Sequence, residues 1–446
     1  MNQTVAIDRN ALLLTAANRD LTFDSARAFL ETAALTLSIS QAAKTPWGQS
    51  AALTIAACAI KMFRGGVYVV GDTDTPAIVG HRAQTTLRQL LAEIGCSMLE
   101  PPAVAYDIHV GGQPPVSNEH QLYCWADGWL AVVSPRTPPP QLLEGNELSG
   151  ALSGALAVSE AFRAWILRDA KAGKRTQRLS PLTPRNPTPD GIRLDRLPSH
   201  IWLLGLGNLG QATLWALALL PYKETASVHI LLQDSDTSGA ENLGIQILTD
   251  HDWIGQKKAR AAAKWAEARG FPTTITERRF TDTTRRGPLE PALLLVGVDD
   301  LPTRRLAAHL KADFHLVIDA GLGATAPEVF DIRIHAFPGA RKPEAAWPDS
   351  DPSSEPKLTP ALSSLVKEHR LDMCGAMTIA GTPVGIPTTA VAAATIQLAQ
   401  ACRALATGTY CDYVDLSLRD TSQLTAYDAI LEQPESIPSV PSLQRR

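Results

Sequence analysis

The chain has 446 residues, 45% of them hydrophobic and 19% charged, with a formal net charge of −4 at pH 7. That length and apolar content suit two or three domains, each with its own core, and the slight acidity argues against a nucleic-acid-binding protein. Six cysteines without any C-x-x-C spacing exclude a paired-cysteine zinc ribbon and point to a reducing, cytoplasmic compartment. The polar start, Met1 to Asn10, reads as no signal peptide, and no apolar run reaches the ~20 residues of a membrane helix.

In the first part of the chain, Leu35 to Ile39 reads as a strand, Gln49 to Phe63 as a helix and Val67 to Val70 as a second strand ending in Gly71-Asp72-Thr73-Asp74-Thr75. The connection Ala43-Lys44-Thr45-Pro46-Trp47-Gly48 is not Gly-rich, and Gly150 to Leu167 reads as a closing Ala/Gly-rich helix. From Lys171 to Pro198 the chain is rich in Pro, Arg, Lys and Thr and lacks a hydrophobic period, as a linker does. Its basic residues read as solvated charge.

The second part opens with the apolar run Ile201 to Leu204, which feeds Gly205-Leu206-Gly207-Asn208-Leu209-Gly210 and then an apolar helix from Gln211 to Leu220. Small residues in a G-x-G-x-x-G turn let the backbone approach a phosphate, and free N–H groups at a helix start attract negative charge. Alone, this turn fits a dinucleotide dehydrogenase equally well, or glycines used only for packing. Ser227 to Gln233 reads as the next strand and ends in Asp234-Ser235-Asp236-Thr237, where a carboxylate suits ribose hydroxyls. Beyond it stand Glu241-Asn242-Leu243-Gly244-Ile245-Gln246 and Gly255-Gln256-Lys257-Lys258, polar residues that a dehydrogenase does not need. Leu293 to Val298 is a further strand ending in Asp299-Asp300, with Arg304 after it. Leu316 to Gly321 reads as a buried strand and Val329 to Phe337 as an antiparallel one.

This ordered set resembles the ubiquitin-activating-enzyme family, which includes the bacterial adenylyltransferases that activate sulfur-carrier proteins. Their pattern runs D-x-D-x-V-x-x-x-N-L-x-R-Q, then G-x-x-K, then a strand ending in T-D-N with an arginine shortly after, and the likeness covers roughly Ser199 to Leu405. The resemblance implies that Gly205, Gly207, Gly210, Asp234, Asp236, Asn242, Gln246, Lys258 and Asp299 form an ATP site. Asp236 would bind the ribose, Asn242 and Lys258 the phosphates, and Asp299 a magnesium ion. Offsetting the negative charge that gathers at an α-phosphate under attack is work suited to a lysine and a hard cation. Plainer readings stand beside these: Lys258 as one helix charge among Lys257, Arg260 and Lys264, Asp299 and Asp300 as a strand end and helix cap, and Asn242 as a turn residue. The family arginine between Leu and Gln is Ile245 here. Lys257 and Arg260 are candidates to replace its charge, and the resemblance adds Arg9 and Arg19, because in the family an arginine near the start of the partner half reaches across.

Asp372-Met373-Cys374-Gly375 precedes a turn at Pro383 to Pro387 and an Ala-rich helix from about Thr388 to Leu405. In the family a cysteine in this loop takes the acyl group as a thioester, which makes Cys374 the expected catalytic nucleophile. Thiolate attack suits the step, since sulfur is nucleophilic near neutral pH; a buried structural cysteine is the alternative. Cys58, Cys96, Cys124, Cys402 and Cys411 stand in apolar context and read as packed thiols. The Pro-rich segment Gly339 to Pro360 reads as a mobile loop; the resemblance implies that it passes over the tail of a bound protein substrate, and a solvated insertion with no role is the alternative.

The order of elements before Ala170 repeats that after Ser199, so the first part reads as a degenerate second copy. The expected fold class is α/β, two Rossmann-like ThiF-type adenylation halves with the N-terminal one degenerate, forming a pseudo-dimer. Residues 1–170 would be the inactive half, 171–198 the linker, 199–432 the active half with the cysteine loop, and 433–446 a flexible tail. The function that the resemblance implies is ATP- and magnesium-dependent adenylation of a ubiquitin-like protein, a thioester on Cys374 and transfer to a conjugating enzyme. No zinc, nucleic acid or membrane takes part. The features look most like the activating enzymes of bacterial ubiquitin-like conjugation operons linked to antiphage defence. A sulfur-carrier adenylyltransferase without a thioester, an NAD-dependent dehydrogenase and a non-catalytic scaffold are the alternatives.

Overall fold

The computed structural model describes residues 8–18, 20–82, 84–112, 120–139, 144–309, 313–323, 325–347, 358–371, 373, 376 and 385–443. Two helices, α1 (Arg9–Ala17) and α2 (Phe23–Thr32), lead into a six-stranded sheet. Its strands are β1 (Leu35–Ile39), β2 (Val67–Gly71), β3 (Tyr106–Val110), β4 (Gln121–Asp127), β5 (Leu130–Ser134) and β6 (Gln177–Leu179), in the order β2-β1-β3-β4-β5-β6. The first four in that order are parallel and the last two antiparallel. Its helices are α3 (Pro46–Met62), α4 (Leu87–Ile94) and α5 (Glu147–Ala161).

After the short β7 (Arg196–Pro198), the second half is built on β8 (His200–Leu204), β9 (His229–Gln233), β10 (Thr273–Thr276), β11 (Leu293–Val296), β12 (Leu316–Leu322), β13 (Asp331–Phe337), β14 (Thr409–Ser417) and β15 (Asp420–Ile430). The order is β10-β9-β8-β11-β12-β13-β14-β15, parallel through β12 and antiparallel beyond it. Its helices are α6 (Asn208–Leu219), α7 (Lys258–Glu267), α8 (Leu301–His309), α9 (Pro343–Ala346), α10 (Pro360–Lys367) and α11 (Pro387–Thr407). Strand for strand, β2-β1-β3-β4-β5 repeats β9-β8-β11-β12-β13, so the repetition seen in the sequence is a repetition of topology; in the place of β10 the first half has a single parallel bridge, Ser97 to Tyr68.

The central parallel strand β11, Leu293–Val296, is a continuous apolar run because both sheet faces are covered there, whereas the edge strand β10 is Thr-rich and partly exposed. The two halves meet through helices that are buried along nearly their whole length. All 15 residues of α5 are buried, and α6 is buried from Leu209 to Leu219. Glycines set this packing: a Cβ at Gly150 would collide with Trp47 O, and one at Gly154 would lie 2.6 Å from Ala51 O, so α5 and α3 approach backbone to backbone. Across the boundary α5 packs on α11 and α6, and Trp215 Nε1 donates to Thr54 Oγ1 at 3.1 Å. One buried apolar cluster runs through both halves.

Three expectations need correction. Residues 171–198 are not a bare linker: Gln177–Leu179 forms edge strand β6, and the Gln177 amide bonds across to Thr421 of the second half. The tail, expected to be flexible from residue 433, forms β16 (Ser439–Pro441), paired antiparallel with β7. The closing helix of the first half ends at Ala161 and passes into a single π turn, Phe162–Ile166. Within Gly339 to Pro360, α9 and the buried Trp347 pack on the second sheet, Trp347 against His335 and Phe337; residues 348–357 lie outside the described residues. Among the described residues, no helix is long and apolar enough to cross a membrane.

Candidate functional site

In the second sheet the chain runs outward from β8 to β9 and β10 on one side and resumes at β11 and β12 on the other. A crevice therefore opens beyond the carboxyl ends of β8 and β11, the place where open α/β sheets bind ligands. The glycine turn lies in it. Gly205 has φ +87°, and a Cβ there would sit 2.7 Å from Val298 Cγ1. A Cβ at Gly210 would collide with Gly205 O, so α6 starts directly against the strand end. Gly207 is the N-cap of α6 and supplies no side-chain cap, and a Cβ built on it meets nothing within 4 Å. The start of α6 thus has no side-chain acceptor on its first-turn amides and open space beside Gly207, as an anion-binding helix start requires.

Asp234 shapes this turn from β9. Its Oδ2 accepts from Leu206 N and its Oδ1 from Asp236 N, both at 2.7 Å. Asp236 is exposed and pairs with Lys258 Nζ at 3.0 Å. Lys258 opens α7, and its backbone N–H donates to Asp236 O at 3.0 Å. Asn242 accepts from Gly239 N at 2.9 Å through Oδ1, the geometry of a turn residue. The expected nucleotide contact of Gln246 is corrected by its surroundings. Its side chain is buried, and its Oε1 accepts from Gln211 Nε2 at 2.8 Å, so it holds the framework instead of facing the crevice. Ile245, in the place of the family arginine, is buried too.

At the end of β11 the two aspartates divide. Asp300 caps α8, accepting from Thr303 N at 2.9 Å, whereas Asp299 is exposed and makes no hydrogen bond among the described residues. Arg304 turns inward and forms a two-pronged pair with the buried Asp319, Nε to Oδ1 at 2.8 Å and Nη2 to Oδ2 at 2.5 Å. Arg9, at the start of α1 in the first half, comes within electrostatic reach of this end. Burial pushes its pKa down, while the charges of Glu241 and Asp299 pull it up. Arg19 lies outside the described residues.

Cys374 also lies outside them, with Leu371 and Met373 described before it and Ala376 after it. Just upstream, Arg370 makes a two-pronged pair with Asp24 of α2 at 2.7 and 2.9 Å. The other five cysteines are buried free thiols. Burial pushes Cys96, Cys124, Cys402 and Cys411 up to about 12 and Cys58 higher still, so none of these is a thiolate near neutral pH.

The corresponding helix start of the first half is capped. Thr45 Oγ1 accepts from Gly48 N at 3.0 Å, and the buried Ala42 and Trp47 stand against Gly111 beyond β3. The sequence suggested no basic counterpart of Lys258 there, but Arg88, in the first turn of α4, fills that place. Its Nε donates to Asp74 Oδ1 at 2.6 Å, and its backbone N–H to Thr73 O at 2.9 Å. A second device shared by the halves also escaped sequence reading. Gln49 Nε2 donates to Ala43 O and accepts Ile78 N at Oε1; Gln211 Nε2 donates to Leu206 O and accepts Leu248 N at Oε1. Each is fully buried and follows the glycine that packs its helix on the strand, which was the available signal: a glutamine set directly after that glycine in an otherwise apolar helix.

The family description "BilD N-terminal domain" matches residues 35–181 and "BilD C-terminal domain" matches residues 197–408. The chain is 33% identical over 386 residues to the bacterial E1-like protein BilD of Collimonas sp. (strain OK412), an alignment that covers 82% of this chain and 81% of that protein. With that likeness spanning both sheets and the crevice between β8 and β11, the chain belongs to the BilD family of bacterial E1-like proteins.

Proposed function

We infer that this protein activates a ubiquitin-like protein: it adenylates the substrate's C-terminal carboxylate with ATP, takes the acyl group onto Cys374 as a thioester, and passes it to a conjugating enzyme in the cytoplasm. The observation that carries this reading is the uncapped start of α6 at Gly207, with Asp236, Lys258 and Asp299 at neighbouring strand ends and Arg9 within charge range from the other half. A dehydrogenase gives Lys258, Asp299 and Arg9 no task.

In the first step a carboxylate oxygen attacks the α-phosphorus, the bond to the bridging oxygen breaks, and pyrophosphate leaves. The α6 amides receive phosphate oxygens, Lys258 swings from Asp236 to the growing negative charge, and Asp236 turns to the ribose. Arg9 supplies the positive charge that Ile245 does not. Among the described residues no three His, Cys, Asp or Glu side chains gather as a metal site. Asp299 would therefore hold magnesium jointly with phosphate oxygens, where the ion offsets charge. In the second step the Cys374 thiolate attacks the acyl carbon and AMP departs, the thiol proton having gone to solvent. The other thiols, held protonated by burial, leave this step to Cys374.

The test is to mix the chain with magnesium-ATP and a bacterial ubiquitin-like protein. Pyrophosphate exchange and a thiol-labile covalent adduct are expected; exchange without adduct would favour the sulfur-carrier reading, and neither would favour a scaffold.

A further inference from the structure

A lysine at the end of an Ala-rich, buried helix is out of place unless something holds its charge. Lys61 ends α3 of the first half, yet its Nζ does not run out to water. It crosses to the second half and donates to Thr249 O at 2.6 Å. Burial lowers its pKa and the nearby Asp250 raises it. A second tie runs alongside: Asn10 Nδ2 donates both to Lys61 O at 2.9 Å and to Gly244 O at 3.1 Å. The first half thus grips residues 244–249 at both ends.

What lies between those grips leads back to the glycine turn. Thr249 Oγ1 stands 2.9 Å from Gln246 Oε1 and 3.2 Å from Gln211 Oε1. Gln211 Nε2 donates to Leu206 O, inside the turn between Gly205 and Gly207, at 3.2 Å. The side chains of Thr249, Gln246 and Gln211 are buried, and that of Lys61 is half-buried. A turn whose glycines permit many conformations needs outside restraint to hold its amides in one.

We propose that Lys61 is a positioning residue of the nucleotide site, through which the half lacking a nucleotide motif fixes the glycine turn by way of Thr249 and Gln211. Its consequence for ATP rests on the activation reading above; its effect on the turn does not. A methionine fills the same volume without the Nζ donor, an arginine keeps a donor and charge, and Thr54→Val on the same helix removes the Trp215 contact without touching the relay.

The experiment measures amide hydrogen exchange and magnesium-ATP affinity on the full chain for Lys61→Met, Lys61→Arg and Thr54→Val. Without nucleotide, Lys61→Met should speed exchange at 205–212 and 244–250 by about tenfold, the loss expected for one charged hydrogen bond, with Lys61→Arg near the unsubstituted rate and Thr54→Val unchanged there. Magnesium-ATP affinity should fall by a similar factor in Lys61→Met alone. Unchanged exchange in Lys61→Met overturns the proposal, and so does equal acceleration in Thr54→Val, which would mean general loosening of the interface. An unsubstituted chain that binds no magnesium-ATP defeats the activation reading, while the exchange comparison still decides the role of Lys61.

Discussion

Asp236 Oδ2 and Lys258 Nζ stand 3.0 Å apart, and the Lys258 N–H donates to Asp236 O at the same distance, so strand end and helix start are joined twice. The backbone link is structural; the side-chain link leaves both groups free to exchange partners. Lys258→Ala should lower pyrophosphate exchange about 100-fold and leave the unfolding temperature nearly unchanged, since Asp236 stands exposed and an ion pair with one partner in water contributes under about 1 kcal/mol. Asp236→Asn should raise the KM for ATP more than it lowers kcat, as loss of uniform binding does. Steady-state kinetics with thermal melts separates these outcomes from a folding defect.

Cys374→Ala should keep pyrophosphate exchange within about threefold of the unsubstituted chain, because adenylation needs no thiol. The thiol-labile adduct should vanish. Intact-mass spectrometry before and after reductant reads this directly, and an adduct surviving the substitution would move the nucleophile elsewhere.

Restoring the family arginine should harm the protein. Ile245 is 3% exposed, and an unpaired guanidinium at such a site costs on the order of 3 kcal/mol, so Ile245→Arg should unfold at markedly lower denaturant. Arg9→Ala, in contrast, should reduce pyrophosphate exchange about 10- to 100-fold with little change in the unfolding midpoint. Both follow from charge arriving from α1 instead of from the turn.

Acid should weaken the second sheet through His335. It lies between Trp347 and Tyr413, both ring nitrogens lack hydrogen-bond partners among the described residues, and burial with the charges of Arg304, Arg341 and Arg333 holds its pKa down at about 3. The unfolded histidine titrates near ~6.5, so below that pH the unfolded chain binds a proton that the folded chain refuses. Stability is full above ~6.5 and falls as the pH drops toward 3, by up to about 1.4 kcal/mol per unit. Denaturant titrations at pH 7 and 5.5 should show the fall, and His335→Leu should flatten it.

The parallel strands, the glycine turn and the paired halves were legible because each is local: an apolar run, a spacing of glycines, an order of elements. Arg88 was not, because it follows Asp74 by 14 residues where Lys258 follows Asp236 by 22, and only the folded chain brings both to the same place. Gln49 and Gln211 passed for ordinary helix residues, since their partners are carbonyls and amides on separate segments. The β7–β16 pair joins Pro198 to Ser439, a register that no nearby pattern announces. Gln246 was drawn into the site by its motif position, whereas burial turned it toward Gln211.

The helices joining the halves, with α5 enclosed along its whole length, leave neither sheet a surface fit for water on its own. Cutting the chain near residue 190 would give fragments that aggregate when made singly and recover only when made together. Mutations that loosen the first half would therefore register in the second, at the crevice beyond β8 and β11. Each half is bounded by the fit of the other, and both hold a buried glutamine at the same helix start.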